Sequence, residues 1–229
     1  MEILAEHGLD GLTMQRLADR VDCAVGTVYT YFPSKSALVA AIQRVALQRL
    51  DASYAVIRVA TDRLLDDDEP SERVRVLARA IGMGRFWAAT PETFPWEARL
   101  MQGLMAAHDD VIDVDDAVEV LPAAIAHLEH ATALLDEAAS LGAITAAGSW
   151  ERVVLWLAAI NGVVQTARLA IYDPLLFGGV RLATQLNLDL LRGWGADPDE
   201  LDRASRHIDR LAAEGPLAPP VADPFEAGS

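Results

Sequence analysis

The sequence has one cysteine, Cys23, in 229 residues, and Lys35 is its only lysine among 19 basic residues. A single cysteine excludes a disulfide within the chain and is typical of a reducing compartment. The first residues lack the basic stretch and long apolar run of a secretory signal. Polar residues interrupt the apolar run 153–167, which is shorter than the about 20 residues that span a bilayer. We therefore expect a cytoplasmic protein without a membrane segment.

Motifs for catalysis and metal binding are also missing from the sequence. It contains no glycine-rich phosphate loop and no nucleophile in a recognisable frame. His127 and His130 share one helix face beside Glu129. Di-iron bundles, however, need a second Glu-x-x-His segment, which is absent here. We expect no enzyme activity, no cofactor and no metal site.

Negative charge is plentiful but unevenly distributed. The formal net charge is −15, whereas residues 1–50 hold five basic and five acidic side chains, which cancel. Such an acidic protein does not bind nucleic acid through its whole surface. Any DNA-binding function must therefore belong to a local site, and the neutral N-terminal region is the part that differs from the rest.

The hydrophobic pattern is helical almost throughout, and alternation typical of strands is scarce. We predict an all-α protein with three short helices near 1–7, 13–21 and 25–31, then a long helix from Ser34 to about Leu65. Further helices are expected near 71–89, 97–108, 116–141, 149–172, 179–192 and 198–213. The predicted domains are 1–46, 47–215 and a disordered tail over 216–229, which is rich in proline, alanine and glycine.

Residues 13–32 have the pattern of a helix-turn-helix, whose second helix can enter a DNA major groove. Thr13 can cap a helix, a turn of about three residues follows, and Val25, Val28 and Phe32 then share one inward face. The opposite face carries Gly26 and hydroxylated side chains suited to phosphate oxygens or base edges. Lys35 places a positive charge at the N-terminus of the next helix, where the helix dipole favours an anion. The arrangement is favourable if the lysine and that helix N-terminus bind one phosphate together. The candidates on this face and beside it are Thr27, Tyr29, Thr30, Tyr31 and Lys35.

The segments Leu12-Thr13-Met14, Leu17-Ala18, Gly26 to Lys35, and Leu38 together resemble the DNA-binding signature of TetR-type transcriptional regulators. The resemblance covers about the first 45 residues. It implies a homodimeric, ligand-responsive repressor in which Thr13, Thr27, Tyr29, Tyr31 and Lys35 contact a DNA operator. Alternatives stay open for several residues. Tyr29 packs with or without a phosphate contact, and Gln15 and Arg16 either reach the DNA backbone or stay in solvent. Thr27 and Tyr31 otherwise form an ordinary exposed face, and Lys35 is otherwise a solvated charge.

Three departures from the family pattern bear on DNA binding. The first helix of the family starts about ten residues earlier, so either the true start lies upstream or this helix is trimmed. Asp22 stands where the turn usually has glycine, and Asp tolerates the left-handed conformation less well. Ala24 stands where a serine-like cap is usual and cannot cap the second helix.

The larger, acidic part has the composition of an effector pocket and of a dimer interface. Methionine and aromatic side chains at about 71–141 suit a small apolar or amphipathic effector, or form an ordinary core. The pocket candidates are Met83, Phe86, Trp87, Met101, Met105 and His127. The helix at 149–172 is apolar nearly all round, so we expect a two-fold four-helix bundle, with an intrachain core as the alternative. The interface candidates are Val153, Trp156, Ile160, Val164, Leu182, Leu186 and Leu190.

The sequence thus predicts a repressor that a small effector releases from a palindromic operator. The alternative is a ligand-binding or scaffold protein of the same fold whose DNA binding is weakened or lost. The neutral N-terminal charge and Ala24 favour that alternative, and the run from Thr13 to Lys35 opposes it.

Overall fold

A computed structural model describes residues 2–106 and 112–221, and within these ranges the protein is all-α, as predicted. A 3-10 helix, Ala167–Ile171, directly follows α8. The α-helices are α1 (Glu2–His7), α2 (Met14–Arg20), α3 (Val25–Tyr31), α4 (Lys35–Asp68), α5 (Glu72–Thr93), α6 (Pro95–Ala106), α7 (Val114–Ser140), α8 (Ser149–Thr166), α9 (Gly179–Gly193) and α10 (Pro198–Glu214).

Local signals account for several helix ends. The Asp197 carboxylate accepts a hydrogen bond from the Glu200 amide at 3.0 Å, and Pro198 occupies the first turn of α10. This is a favourable helix start, because proline has no amide hydrogen to leave unpaired there. Gly142 and Gly195 follow α7 and α9 at φ +65° and +97°. These left-handed conformations end a helix at little cost in glycine.

The chain divides into two compact units. Unit 1 contains residues 1–51 and 91–127, and unit 2 contains residues 52–90 and 128–229. The boundary in α4 lies close to the predicted boundary after residue 46. The segment 91–127, however, joins the N-terminal unit, whereas the sequence pattern assigns it to the larger domain. That difference comes from contacts between residues distant in sequence, which a local pattern does not report.

The core of unit 1 joins the three short helices to α6. Leu4, Val28 and Leu38 are buried together with Trp96 and Leu100 of α6. A Cβ atom on Gly103 would lie 3.0 Å from the Cβ of Leu9, so α6 lies close to the segment after α1. These contacts give the short N-terminal helices the packing partner that they need, since isolated helices of this length are unstable in water.

The core of unit 2 is built around three tryptophans. The Trp156 ring lies edge-on to Trp87 at 4.9 Å and to Trp194 at 6.0 Å between centroids. Asn187 is fully buried and donates to the Ile81 carbonyl oxygen at 3.1 Å. A Cβ atom on Gly84 would lie 2.5 Å from the Asn187 side chain, so glycine is required at that contact. Aromatic packing and one buried amide thus join α5, α8 and α9.

The last described residues pack on unit 2. Ala218 is buried, and the Ser53 hydroxyl donates to the Pro219 carbonyl oxygen at 2.7 Å. This placement differs from the disordered tail expected over 216–229. The remainder of that predicted tail, residues 222–229, lies outside the described residues.

Within residues 2–106 and 112–221, one helical stretch, Ser149–Ile171, is long and apolar enough to cross a membrane by length and composition. Its mean hydropathy is 1.5, and 11% of its most apolar window is buried within the chain. A single stretch of this kind is weak evidence for a membrane span. The absence of a membrane segment therefore stays a prediction.

Candidate nucleic-acid interface

The start of the helix-turn-helix forms as its sequence predicts. The Thr13 hydroxyl accepts a hydrogen bond from the Arg16 amide at 3.1 Å and caps α2. Ala18 in α2 and Val28 in α3 are both buried in the core of unit 1. A threonine cap of this kind stabilises a helix by about 1 kcal/mol. It also fixes the position at which the chain enters α2.

The turn between α2 and α3 bends through Asp22. This residue has φ +50°, and the Cys23 amide donates to the Ala18 carbonyl oxygen at 3.0 Å. Cys23 is partly buried against the core, as expected for a small apolar side chain. Ala24 stands at the N-cap of α3 and makes no side-chain capping bond. The lost cap costs about 1 kcal/mol of local stability.

The outward face of α3 is available for a partner. Thr27, Tyr29, Thr30 and Tyr31 are all exposed, and Tyr31 is 76% exposed. The Thr30 hydroxyl donates to the Gly26 carbonyl oxygen at 3.0 Å. Within the described residues, Thr27, Tyr29 and Tyr31 form no side-chain hydrogen bond. Their hydroxyl groups can therefore bond to phosphate oxygens or base edges without breaking an internal contact.

Gly26 leaves open space at the N-terminus of α3. A Cβ atom built at this position would meet no atom of the described chain within 4 Å. Its φ is not among the positive values, so the backbone conformation does not require glycine either. Neither packing nor backbone geometry explains this glycine. A partner whose backbone approaches α3 closely would explain it.

Lys35 is the first residue of α4 and is exposed. No side chain of the described ranges forms an ion pair with it. The Ser34 hydroxyl caps the helix by accepting from the Ala37 amide at 2.9 Å, and the Ser36 hydroxyl donates to the Asp116 carboxylate. Because Asp116 already supplies an anion near this helix N-terminus, the attraction for a phosphate must come mainly from the lysine charge.

Gln15 and Arg16 also lie on the exposed side of α2. Each side chain is engaged locally: Gln15 Nε2 donates to Asp19 at 2.8 Å, and Arg16 Nη1 donates to the Gly11 carbonyl oxygen at 2.8 Å. Arginine carries five donor hydrogens, so Arg16 retains donors for a phosphate. Gln15 would first have to release Asp19.

The predicted effector residues belong to both units. Met83, Phe86 and Trp87 are buried in unit 2, where Phe86 lies 5.3 Å from the Tyr54 ring between centroids. Met101, in unit 1, packs against the core of that unit. His127 Nδ1, also in unit 1, lies 2.5 Å from Asp51 Oδ1. The side chain of Met105 lies outside the described residues.

A cavity of about 440 Å³ lies elsewhere in unit 2, between α4, α5 and α7. Pockets for small molecules have volumes of about 300–1,000 Å³. The predicted effector residues whose side chains are described do not line it. The signal in the sequence is a helical spacing of four, which places Tyr54, Arg58 and Asp62 on one face of α4. The residues that line this cleft are Tyr54, Arg58, Asp62, Arg79, Glu129, His130, Ala133, Leu134 and Glu137.

The predicted dimer residues fall into two groups. Val153, Trp156 and Ile160 are buried within the chain's own unit 2, so that stripe of α8 forms intrachain core. Val164, Leu182, Leu186 and Leu190 are partly exposed. The outward stripe of α8 instead presents Val154 and Leu155, and Leu155 is 63% exposed. Exposed apolar residues follow as far as α9: Leu169, Ile171, Tyr172, Leu175, Leu176 and Val180.

Comparison with known proteins agrees with the geometry of the N-terminal helices. Residues 1–42 match the family model of the bacterial regulatory proteins of the tetR family. A segment of 52 residues is 42% identical to the HTH-type transcriptional repressor KstR of Mycobacterium tuberculosis (strain ATCC 25618 / H37Rv). That segment spans 23% of this chain and 24% of the relative, about a quarter of its length. No solved structure matches the chain. Residues 1–42 are therefore similar to the N-terminal helix-turn-helix region of TetR-type transcriptional regulators.

Proposed function

We propose that the protein is a ligand-responsive DNA-binding repressor that works as a homodimer in the cytoplasm. The main support is the exposed face of α3, where Thr27, Tyr29 and Tyr31 point outward beside the open space at Gly26. A helix with this face can enter a major groove, and Lys35 adds a cation for the phosphate backbone. In the proposal, α3 reads bases, and Thr13 and Lys35 bind phosphates.

The apolar surface that begins on α8 supports the homodimer. Val154 and Leu155 lie on it, and a Cβ atom on Gly162 would meet no atom within 4 Å. A monomer would expose this surface to water, and extended apolar patches of this kind are unfavourable in soluble proteins. Two copies of α8 and α9 in a two-fold four-helix bundle would cover it. The two recognition helices would then read half-sites about 34 Å apart on a palindromic operator.

The effector in this proposal is a small amphipathic molecule that binds in unit 2. The cleft between α4, α5 and α7 has the volume for such a molecule, and its charged lining disfavours a wholly apolar one. Residues of α4 belong to both units, so this helix is proposed to transmit effector binding to the DNA-binding helices. The effector shifts the equilibrium only by its differential affinity for the DNA-binding and released states.

Selection of binding sites from a random duplex pool tests the DNA-binding part. The full chain should enrich a palindrome whose half-site centres lie one helical turn apart. A variant with Thr27→Ala and Tyr31→Ala should lose that enrichment while its circular dichroism spectrum stays helical. Enrichment of an asymmetric site would contradict the dimer, and no enrichment by the unaltered chain would contradict the repressor.

A second function, a ligand-binding or scaffold protein with lost operator binding, has its own support. Ala24 leaves α3 without a side-chain cap, and the charges of residues 1–50 cancel. DNA-binding domains usually carry a basic excess. In that case the same selection would return no sequence, and ligand binding in unit 2 would be unaffected.

A further inference from the structure

We infer that the cleft of unit 2 binds the carboxylate of an aromatic or other amphipathic acid, with Tyr54 and Arg58 as the groups that receive it. This assignment rests on the ligand response proposed above and adds the chemical class of the ligand. It depends on which of the charged and polar groups in the cleft are already engaged within the protein, and which are not.

Arg79 engages two of the three acidic side chains in the cleft. Its Nε lies 2.8 Å from Asp62 of α4, and its Nη1 lies 3.3 Å from Glu137 of α7. Arg79 itself belongs to α5, so these two ion pairs join the three helices that form the walls. Since both carboxylates already have a cation, they offer little attraction to a cationic ligand. They instead hold the cleft in a defined shape before a ligand arrives.

Two further hydrogen-bond donors of the cleft, Tyr54 and Arg58, belong to α4. Tyr54 is 7% exposed, and its hydroxyl forms no hydrogen bond with another described residue. Burial raises the pKa of Tyr54 to about 12, although the nearby charge of Arg58 lowers it. The phenol therefore stays protonated at neutral pH and can donate. Arg58, one turn further along the helix, is exposed, lines the same cleft and forms no ion pair with a described residue.

One acceptor group can therefore be bound by Tyr54 and Arg58 at once. A carboxylate accepts several hydrogen bonds, and bonds from arginine to a carboxylate are stronger than those between neutral groups. Leu134 and Ala133 give the cleft an apolar side, and the rings of Tyr54 and His130 lie 5.7 Å apart between centroids. An aromatic or aliphatic body would pack there. Glu129, the remaining acid, is exposed and would be left outside the contact.

Three probes with one carbon skeleton test the charge preference. Benzoate, benzyl alcohol and benzylamine would be titrated into the full chain by isothermal calorimetry at neutral pH. We expect measurable binding of benzoate and at least about tenfold weaker binding of the other two. Equal binding of all three, or preferential binding of benzylamine, would overturn the inference.

Three variants then identify the residues. Arg58→Gln should weaken benzoate binding about tenfold, and Tyr54→Phe, which keeps the ring contacts, about fivefold. Glu129→Gln removes a charge from the same cleft and should leave benzoate binding unchanged or slightly stronger, so it is the matched control. Unaltered binding in Arg58→Gln, or loss of binding in Glu129→Gln, would refute the assignment.

Operator binding separates this inference from the proposed function. Without probe, all three variants should bind DNA as the unaltered chain does, because the cleft lies in unit 2. If the unaltered chain binds benzoate but no DNA, the repressor proposal fails and the cleft assignment stands. If it binds DNA but benzoate binding fails the tests above, the cleft assignment alone fails.

Discussion

The open space at Gly26 gives a prediction that separates folding from DNA binding. Gly26→Ala places a methyl group where the chain has no atom within 4 Å, so no internal clash is expected. Alanine is a better helix former than glycine by about 0.5–1 kcal/mol in a helix interior. The variant should therefore unfold at a slightly higher urea concentration than the unaltered chain.

Its DNA affinity should change in the opposite direction. If α3 approaches the DNA backbone through this glycine, the added methyl group enters a packed interface. Overpacking of that kind costs about 1–3 kcal/mol, which corresponds to binding weaker by about fivefold to about 150-fold. Fluorescence anisotropy on operator DNA measures the affinity, and urea denaturation followed by circular dichroism measures the stability of the same preparation.

Gly193→Ala is the matched control. Gly193 ends α9 in unit 2, and its added Cβ atom would also meet no atom within 4 Å. It should leave DNA affinity unchanged. An unaltered affinity in Gly26→Ala would refute the close approach of DNA to the start of α3. A lower stability of Gly26→Ala would contradict the open space at this position.

Three further variants test the phosphate contact, the dimer face and the tryptophan core. Lys35→Ala should weaken binding to all DNA sequences alike and lower the salt slope by about 1, whereas a sequence-selective loss would mean that Lys35 reads bases. Leu155→Asp, on the exposed face of α8, should yield a folded monomer in sedimentation equilibrium, and an unchanged dimer would contradict that interface. Trp156→Ala should instead lower the free energy of unfolding by about 3–5 kcal/mol in urea, because this side chain is fully buried, and a small loss would contradict its core position.

The N-terminal helices could be predicted because their signals are local. Thr13 caps α2, Val28 lies on the buried face of α3, and the hydroxylated face of α3 is exposed. Each of these depends on neighbours within a few residues. Local signals could not predict that α6 packs in the same unit, because the contact of Gly103 with Leu9 joins residues far apart in sequence.

The apolar helix α8 and the cleft of unit 2 show where a helical pattern stops being informative. Because α8 is apolar nearly all round, its periodicity does not tell which stripe packs on the chain itself. Trp156 packs inside unit 2, and the neighbouring Leu155 is exposed. In the cleft, the useful signal was the spacing of Tyr54 and Arg58 on α4. The apolar composition of this region instead points to Phe86, which is buried in the core.

The central claim is that the helix-turn-helix binds a specific DNA sequence. The most direct measurement is fluorescence anisotropy of the full chain on DNA from its own promoter region and on scrambled DNA, across a salt series. Binding to the promoter should be tighter at every salt concentration, and the affinity should fall as salt rises. Equal, weak binding to both DNAs would contradict it.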